Sequence, residues 1–390
     1  MKGTACISAV MMSVAIALVA CESRPYEPIE SSSPLFKPKC ETPPCKDDGG
    51  TDPPPPPQGV EAHVLFSSSM GTNPGGGGCK RDDLQDSMYR LDLDGNFERV
   101  FGDELENQAH TMYPSFSPDG TRFAMYRDVY TVARGRCATE HFQIATANAD
   151  GTEFQVVREF DRESGRHVRM PRWSPGPVSG SERLAWIESN STAADIMIAQ
   201  TDGSSPSVAL AGNEVAGSDE IEGFEWSRTG EALLVNLRDW GAALSWLRLY
   251  ALDCSGNCAV AGFVDIPASS PIPAGAWFSD MDWARLHDWV IAPACIGGDC
   301  DLYRLDLTNP ASPTVTRITA VPGGADELEP TWSPDDSKIL FTAGFIDGAI
   351  WRVEMDLTVA SLPWSGDLSA PGIRATVRPD CCSGMDWRRF

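Results

Sequence analysis

The sequence predicts an all-β protein, a six-bladed β-propeller of four-stranded blades. Three observations carry the prediction. A strand–turn–strand unit returns along the chain, six aromatic anchors mark its returns, and the two ends of the repeat region complete one another. The anchors are Phe116, Trp173, Trp226, Trp283, Trp332 and Trp387, spaced by 57, 53, 57, 49 and 55 residues. A period near 50 built of short strands is the signature of a propeller.

The unit is clearest at Tyr113-Pro114-Ser115-Phe116-Ser117-Pro118-Asp119-Gly120 followed by Phe123-Ala124-Met125-Tyr126. Ser-Pro-Asp-Gly suits a type I turn: Pro presets φ, Asp tolerates the next position, and Gly takes the left-handed exit. The apolar run after it reads as a strand covered on both faces. The unit recurs around Trp173, Trp226, Trp283 and Trp332. It is worn at Trp226, where Arg228 replaces Pro, and at Trp283, where the turn is Ala284-Arg285-Leu286-His287-Asp288. A third strand follows each second one, as at Gln143–Ala147 and Asp301–Leu305, and often runs into Asp-Gly, as at Asp150-Gly151 and Asp202-Gly203. Outer strands are expected at Gln155–Val157, Ser207–Leu210 and Val315–Ile318.

The first repeat has a second, third and fourth strand near Val64–Phe66, Ser87–Leu93 and Arg99–Phe101, but no anchor strand. The last residues, Met385-Asp386-Trp387, are an anchor strand with no blade after it. The C-terminal strand is therefore expected to join blade 1 and seal the ring, which removes an open sheet edge.

Residues 61–390 make the propeller region. Its Trp-Ser-Pro-Asp-Gly units, each followed by an apolar strand and a strand ending in Asp-Gly, resemble the TolB-like propeller repeat, also called PD40 or WD40-like. The match is best at Phe116–Gly120 and at Trp332-Ser333-Pro334-Asp335-Asp336. The resemblance implies the fold and says little about function. TolB resembles a propeller joined to an N-terminal α/β domain, which is not seen here, so a role in the Tol–Pal system does not carry over. Propeller peptidases carry a separate catalytic domain, for which this sequence shows no segment.

Residues 1–20 read as a signal peptide: Lys2 gives a basic start, and Ile7–Ala20 is an apolar run too short to span a bilayer comfortably. The run ends Leu18-Val19-Ala20-Cys21, which resembles the bacterial lipobox and implies lipid attachment at Cys21. An ordinary signal peptide with an incidental cysteine is the alternative. Glu22 rather than Asp after the cysteine favours the outer membrane. Residues 21–60 read as a Pro-rich tether: Pro53–Pro57 favours extended polyproline II, and the stretch has too little apolar surface to fold. The expected location is the bacterial cell envelope, with the protein held to the membrane through its N-terminal lipid.

The formal net charge of −24 excludes nucleic acid as a partner, because phosphate neutralisation needs a basic patch. It suits a cation, a basic peptide or a neutral glycan, or serves solubility alone. Setting aside Cys6 and Cys21, ten cysteines remain. They suggest disulfides in local pairs: Cys40/Cys45, Cys254/Cys258, Cys295/Cys300 and Cys381/Cys382, with Cys79 left to Cys137. No pair has the tight spacing of a zinc site, so no metal is expected from the cysteines, and no cofactor beyond a structural cation in the channel.

There is no G-x-S-x-G elbow, H-E-x-x-H or P-loop, and His63, His110, His141, His167 and His287 stand in no motif. No catalytic residue is assigned. The candidate binding residues are the acids beside the anchors, Glu225, Asp282 and Asp386. Further acids enter the same strands: Asp219, Glu220, Glu222, Asp280, Asp326, Glu327 and Glu329. Carboxylates converging on one axis could bind a cation or a basic peptide terminus; the alternative is a solvated rim. The resulting expectation is a monomeric, non-enzymatic propeller that binds an envelope protein or glycan. A hydrolase or lyase acting on an envelope polysaccharide or peptide through channel carboxylates is the alternative.

Overall fold

The computed structural model describes residues 62–68, 87–91, 97–101, 109–133, 136–178, 180–190, 193–215, 220–242, 244–267, 271–297, 299–319, 327–343, 349–354 and 384–389. The expected signal peptide, Cys21, the tether, Cys40, Cys45, Cys79, Cys381, Cys382, Asp219 and Asp326 lie outside these residues, as does the side chain of Cys137. No helix among the described residues is long and apolar enough to cross a membrane.

Blade 1 contains β1 (Ala62–Ser68), β2 (Ser87–Leu91) and β3 (Phe97–Phe101). Blade 2 is β4 (Ala109–Phe116), β5 (Arg122–Ala133), β6 (Arg136–Asn148) and β7 (Gln155–Asp161). Blade 3 is β8 (His167–Trp173), β9 (Arg183–Ser189), β10 (Ala194–Gln200) and β11 (Ser207–Leu210). Blade 4 is β12 (Glu220–Trp226), β13 (Ala232–Asp239), β14 (Leu244–Asp253) and β15 (Ala259–Ile266). In blade 5 the inner strand is broken into β16 (Trp277–Phe278) and β17 (Asp282–Trp283), followed by β18 (Trp289–Ile296), β19 (Asp299–Asp306) and β20 (Thr314–Arg317). Blade 6 shows β21 (Glu327–Trp332), β22 (Lys338–Ala343) and β23 (Ala349–Glu354). The last strand, β24 (Met385–Arg389), pairs antiparallel with β1, with Trp387 opposite Val64. Six antiparallel sheets result, five of four or more strands and one of three among the described residues. Each inner strand touches the next, from β24 through β4, β8, β12, β17 and β21 back to β24. The ring closes as the sequence predicts.

The turns form for the reason their residues suggest. Gly120 donates its N–H to the Ser117 carbonyl at 2.9 Å with φ +72°, and Ser117 Oγ bonds Asp119 and receives the Arg122 N–H. Local side chains thus replace water on a turn that would otherwise leave its backbone groups unpaired.

The core lies in the wedges between blades rather than at the centre. Trp173, Leu184, Trp186 and Met197 of blade 3 pack on Tyr126, Phe142 and Ile144 of blade 2, and similar clusters fill the other junctions. All six anchors are buried. The Asp-Gly turns set the blade spacing. Gly151 (φ +83°) lies so close to the Val100 carbonyl of blade 1 that a Cβ there would overlap it, and Gly203 (φ +81°) meets Val157 of blade 2 in the same way. Gly151→Ala is expected to cost about 1–2 kcal/mol in chemical denaturation, from the left-handed backbone and the overlap together. An unchanged denaturation midpoint would show that the outer strand yields freely.

Two of the expected disulfides are present. Cys254–Cys258 and Cys295–Cys300 each staple a hairpin, with Cα atoms 4.0 Å apart in both.

Candidate functional site

Every anchor is preceded by a polar residue: Ser115, Arg172, Glu225, Asp282, Thr331 and Asp386. A register shift directly before this position interrupts β4, β8 and β21, and in β12 one falls three residues before Glu225. Tyr113, Met170 and Glu329 take positive φ there, and each stands before a proline. Proline donates nothing to a ladder, so a bulge is where a strand accommodates it.

The polar side chains that follow tie blade to blade at five of the six junctions. The Trp173 N–H donates to Ser115 Oγ at 2.9 Å, the Trp332 N–H to Asp282 Oδ2 at 2.7 Å, the Trp387 N–H to Thr331 Oγ1 at 3.2 Å, and the Phe116 N–H to Asp386 Oδ2 at 2.7 Å. Thr331 Oγ1 in turn donates to Asp282 Oδ2 at 3.1 Å. Between blades 3 and 4 the pre-anchor residue is a cation, which cannot accept. There Arg172 Nε donates to Glu225 Oε2 at 3.0 Å, and the Arg172 carbonyl accepts from Trp226 Nε1 at 3.2 Å.

Of these, Ser115, Arg172, Glu225, Asp282 and Asp386 line the channel cavity together with Asp280, Met281, Glu329, Gly384 and Met385. Arg285, from the worn turn of blade 5, closes the network: it donates to Asp282 Oδ1 at 3.1 Å and to Asp386 Oδ1 at 3.2 Å. One guanidinium therefore joins blade 5 to the closing strand of blade 1.

The three candidate acids thus come together, but with two arginines the acid pattern did not reveal. Asp282 and Asp386 each use one oxygen for a neighbouring blade's N–H and the other for Arg285. Glu225 accepts from Arg172 and from the Trp226 N–H. Burial pushes the Asp386 carboxyl up to about 6 although Arg285 pulls it down; burial likewise raises Glu225 against the pull of Arg172. Among the described residues no group of three or more His, Cys, Asp or Glu side chains has the arrangement to hold a metal ion. The signal that would have found the arginines is positional: both occupy, or follow by two residues, an anchor strand whose other blades carry acids or hydroxyls.

Of the remaining described acids, Asp280 and Glu329 line the same cavity, and the others separate. Glu220 and Glu222 pair with Arg169 and Arg238 on one face. Glu327 is fully buried, accepts from Thr319 Oγ1 at 2.9 Å, and has an Oε1 with no partner. Burial pushes its carboxyl up to about 8, with Asp301 and Asp299 adding to the rise. The folded state therefore holds this proton more tightly than the unfolded chain, whose carboxyl lies near 4.5. The stability it contributes is complete below about pH 4.5 and is lost as pH rises through about 8. Denaturation midpoints of the wild type are expected to fall over that window, and Glu327→Gln is expected to flatten the fall. An equal slope in both proteins would locate the effect elsewhere.

His287 stacks on Trp289 with ring centroids 4.0 Å apart and bonds Asp336 at 3.0 Å. His110, His141 and His167, which look scattered in sequence, lie on β4 and β6 of blade 2 and on β8 of blade 3, which contacts both; His110 is the cross-strand partner of Asp128.

No family model and no curated protein matches the chain. Among solved structures it is similar to TolB from Acinetobacter baumannii, with 12% identity and a TM-score of 0.53 over 84% of this chain and 66% of that one. It is also similar to hydrazine synthase from Kuenenia stuttgartiensis, with 10% identity and a TM-score of 0.52 over 78% and 44%. The chain spans less than two thirds of either protein's length. At these identities the likeness is one of architecture: the chain has a TolB-like β-propeller fold.

Proposed function

We propose that this chain is a lipid-anchored protein of the bacterial cell envelope whose propeller binds a protein or glycan partner and does no chemistry. The observation that carries the reading is that the three acids beside the anchors are already bonded. Asp282 and Asp386 spend their oxygens on a neighbouring blade's N–H and on Arg285, and Glu225 on Arg172 and on the Trp226 N–H of its own strand. General acid–base work needs a carboxyl within reach of a substrate proton, and these are committed to holding the ring. Lipid attachment at Cys21, a spacer over residues 21–60, and an outer-membrane location belong to the same reading and rest on the sequence alone. The Cys79–Cys137 and Cys40–Cys45 disulfides, and the pairing of Cys381 and Cys382, stand on the same footing.

The raised Glu225 carboxyl favours the second reading, a hydrolase or lyase acting on an envelope polysaccharide or peptide. The test uses the full chain expressed in its envelope. Cross-linking and mass spectrometry are expected to give a specific partner mapping to one propeller face. A hydrolytic activity that purifies with the chain and disappears in Glu225→Gln would replace the binding reading with the enzymatic one.

A further inference from the structure

We propose that one face of blades 4 and 5 docks a polypeptide segment that presents an apolar side chain beside a lysine or arginine. This rests on the binding-module reading and names the face and the partner's chemistry.

The face is opposite the Ser-Pro turns. It gathers the start of β8 and β12, the end of β13, the β13–β14 hairpin, β16 and the end of β18, because successive antiparallel strands bring these ends to the same side. Eight large apolar side chains are exposed among the described residues, and three of them lie here: Trp240 (54%), Leu244 (52%) and Ile296 (45%). Trp277 joins them, half-buried. The Arg238 guanidinium sits 3.6 Å from the Trp240 ring centroid and 5.6 Å from that of Trp277, so it bridges the two rings. Exposed apolar clusters that include tryptophan and arginine mark interfaces more often than chance surface.

The electrostatics choose the occupant. Trp240 Nε1 donates to Glu220 Oε2 at 3.1 Å, Arg169 meets Glu220 Oε1 at 3.0 Å, and Arg238 meets Glu222 Oε1 at 3.6 Å. Each carboxylate oxygen accepts more than one hydrogen bond, and a cationic donor suits this acidic surface better than a neutral sugar hydroxyl. An apolar side chain only has to cover the rings. Three acids, Glu220, Glu222 and Asp280, face two arginines, Arg169 and Arg238, and the channel mouth beyond Asp280 adds Glu225, Asp282, Asp386 and Glu329 against Arg172 and Arg285. The acids outnumber the arginines seven to four, and with Glu225 held protonated by burial near neutral pH they still carry the excess. Burial and the neighbouring Glu220 raise the Glu222 carboxyl, so an arriving cation relieves an existing repulsion. A second copy of the chain would bring the same acidic mouth and a net charge of −24, which disfavours self-docking.

The test titrates the full chain with a short peptide of alternating leucine and lysine, and with its leucine–glutamate counterpart, following tryptophan fluorescence and calorimetry. The leucine–lysine peptide is expected to bind, and to lose about tenfold or more of its affinity in Trp240→Ala/Leu244→Ala. Leu286→Ala, in the exposed turn at the opposite end of blade 5, is expected to leave binding unchanged, and Glu222→Gln to weaken it and reduce its salt dependence. Equal binding in the Trp240→Ala/Leu244→Ala variant would reject this face while leaving the binding-module reading intact. No preference over the leucine–glutamate peptide would reject the partner chemistry.

Discussion

Asp386→Ala is expected to destabilise the propeller by about 3–5 kcal/mol, the cost of removing one partner from a buried charge network. The carboxylate is 6% exposed and does two jobs. Its Oδ2 accepts the Phe116 N–H of blade 2, and its Oδ1 accepts from Arg285 of blade 5. Alanine takes a carboxylate acceptor away from the buried Phe116 N–H and leaves Arg285 with one of its two bonded carboxylates. Because Asp386 stands on the strand that closes the ring, the loss falls on the seam between β24 and blade 2. Equilibrium denaturation with urea reads the effect, and Asp386→Asn separates its parts. The amide keeps an acceptor for Phe116 while giving up the charge, so an intermediate stability is expected. If Asp386→Ala unfolds at the wild-type midpoint, the seam is held by the burial of Trp387 and the β1 ladder alone.

The second expectation runs against the repeat. Asp336 occupies the position that glycine takes in Ser117-Pro118-Asp119-Gly120, and it adopts the left-handed conformation there, with φ +58°. Restoring the repeat with Asp336→Gly removes backbone strain of roughly 1 kcal/mol. It is nevertheless expected to destabilise the protein by at least about 3 kcal/mol net. The Asp336 side chain is fully buried and accepts from the Arg285 N–H at 2.8 Å, the Leu286 N–H at 2.7 Å and His287 at 3.0 Å. Charge-assisted bonds of this kind are worth about 1.5–3 kcal/mol each before the strain is subtracted. The blade 5 turn lacks the Ser-Pro-Asp-Gly residues that satisfy their own backbone, and the aspartate of blade 6 supplies the missing acceptors. Two departures from the repeat thus compensate one another. A glycine variant as stable as the wild type would mean that water replaces the carboxylate at no cost.

The blade pattern was legible because its determinants are local. A Ser-Pro-Asp-Gly turn closes within four residues, and an apolar run beside it reads as a covered strand whatever it pairs with. Ring closure was legible too, since an anchor strand without a blade and a blade without an anchor strand admit one pairing. The hairpin staples at Cys254–Cys258 and Cys295–Cys300 follow from separations of four and five residues.

The site was legible only in part. The acids beside Trp226, Trp283 and Trp387 stood out as a group, and they do converge on the channel. What each acid does there depends on residues some 50 to 270 positions away: Asp282 serves Trp332, and Asp386 serves Phe116. Arg285 lies in a turn that looks merely eroded, and it is the cation that joins Asp282 to Asp386. A carboxylate that binds a ligand and one that latches a blade have the same sequence signature. Only the ring, by setting which blade stands beside which, decides between them. By itself, then, the sequence determined the strands, their turns and the closing pair, because those rest on contacts within a few residues. The tertiary structure alone decided which charges meet in the channel and which aromatic rings remain uncovered on the face of blades 4 and 5, because both depend on packing between blades.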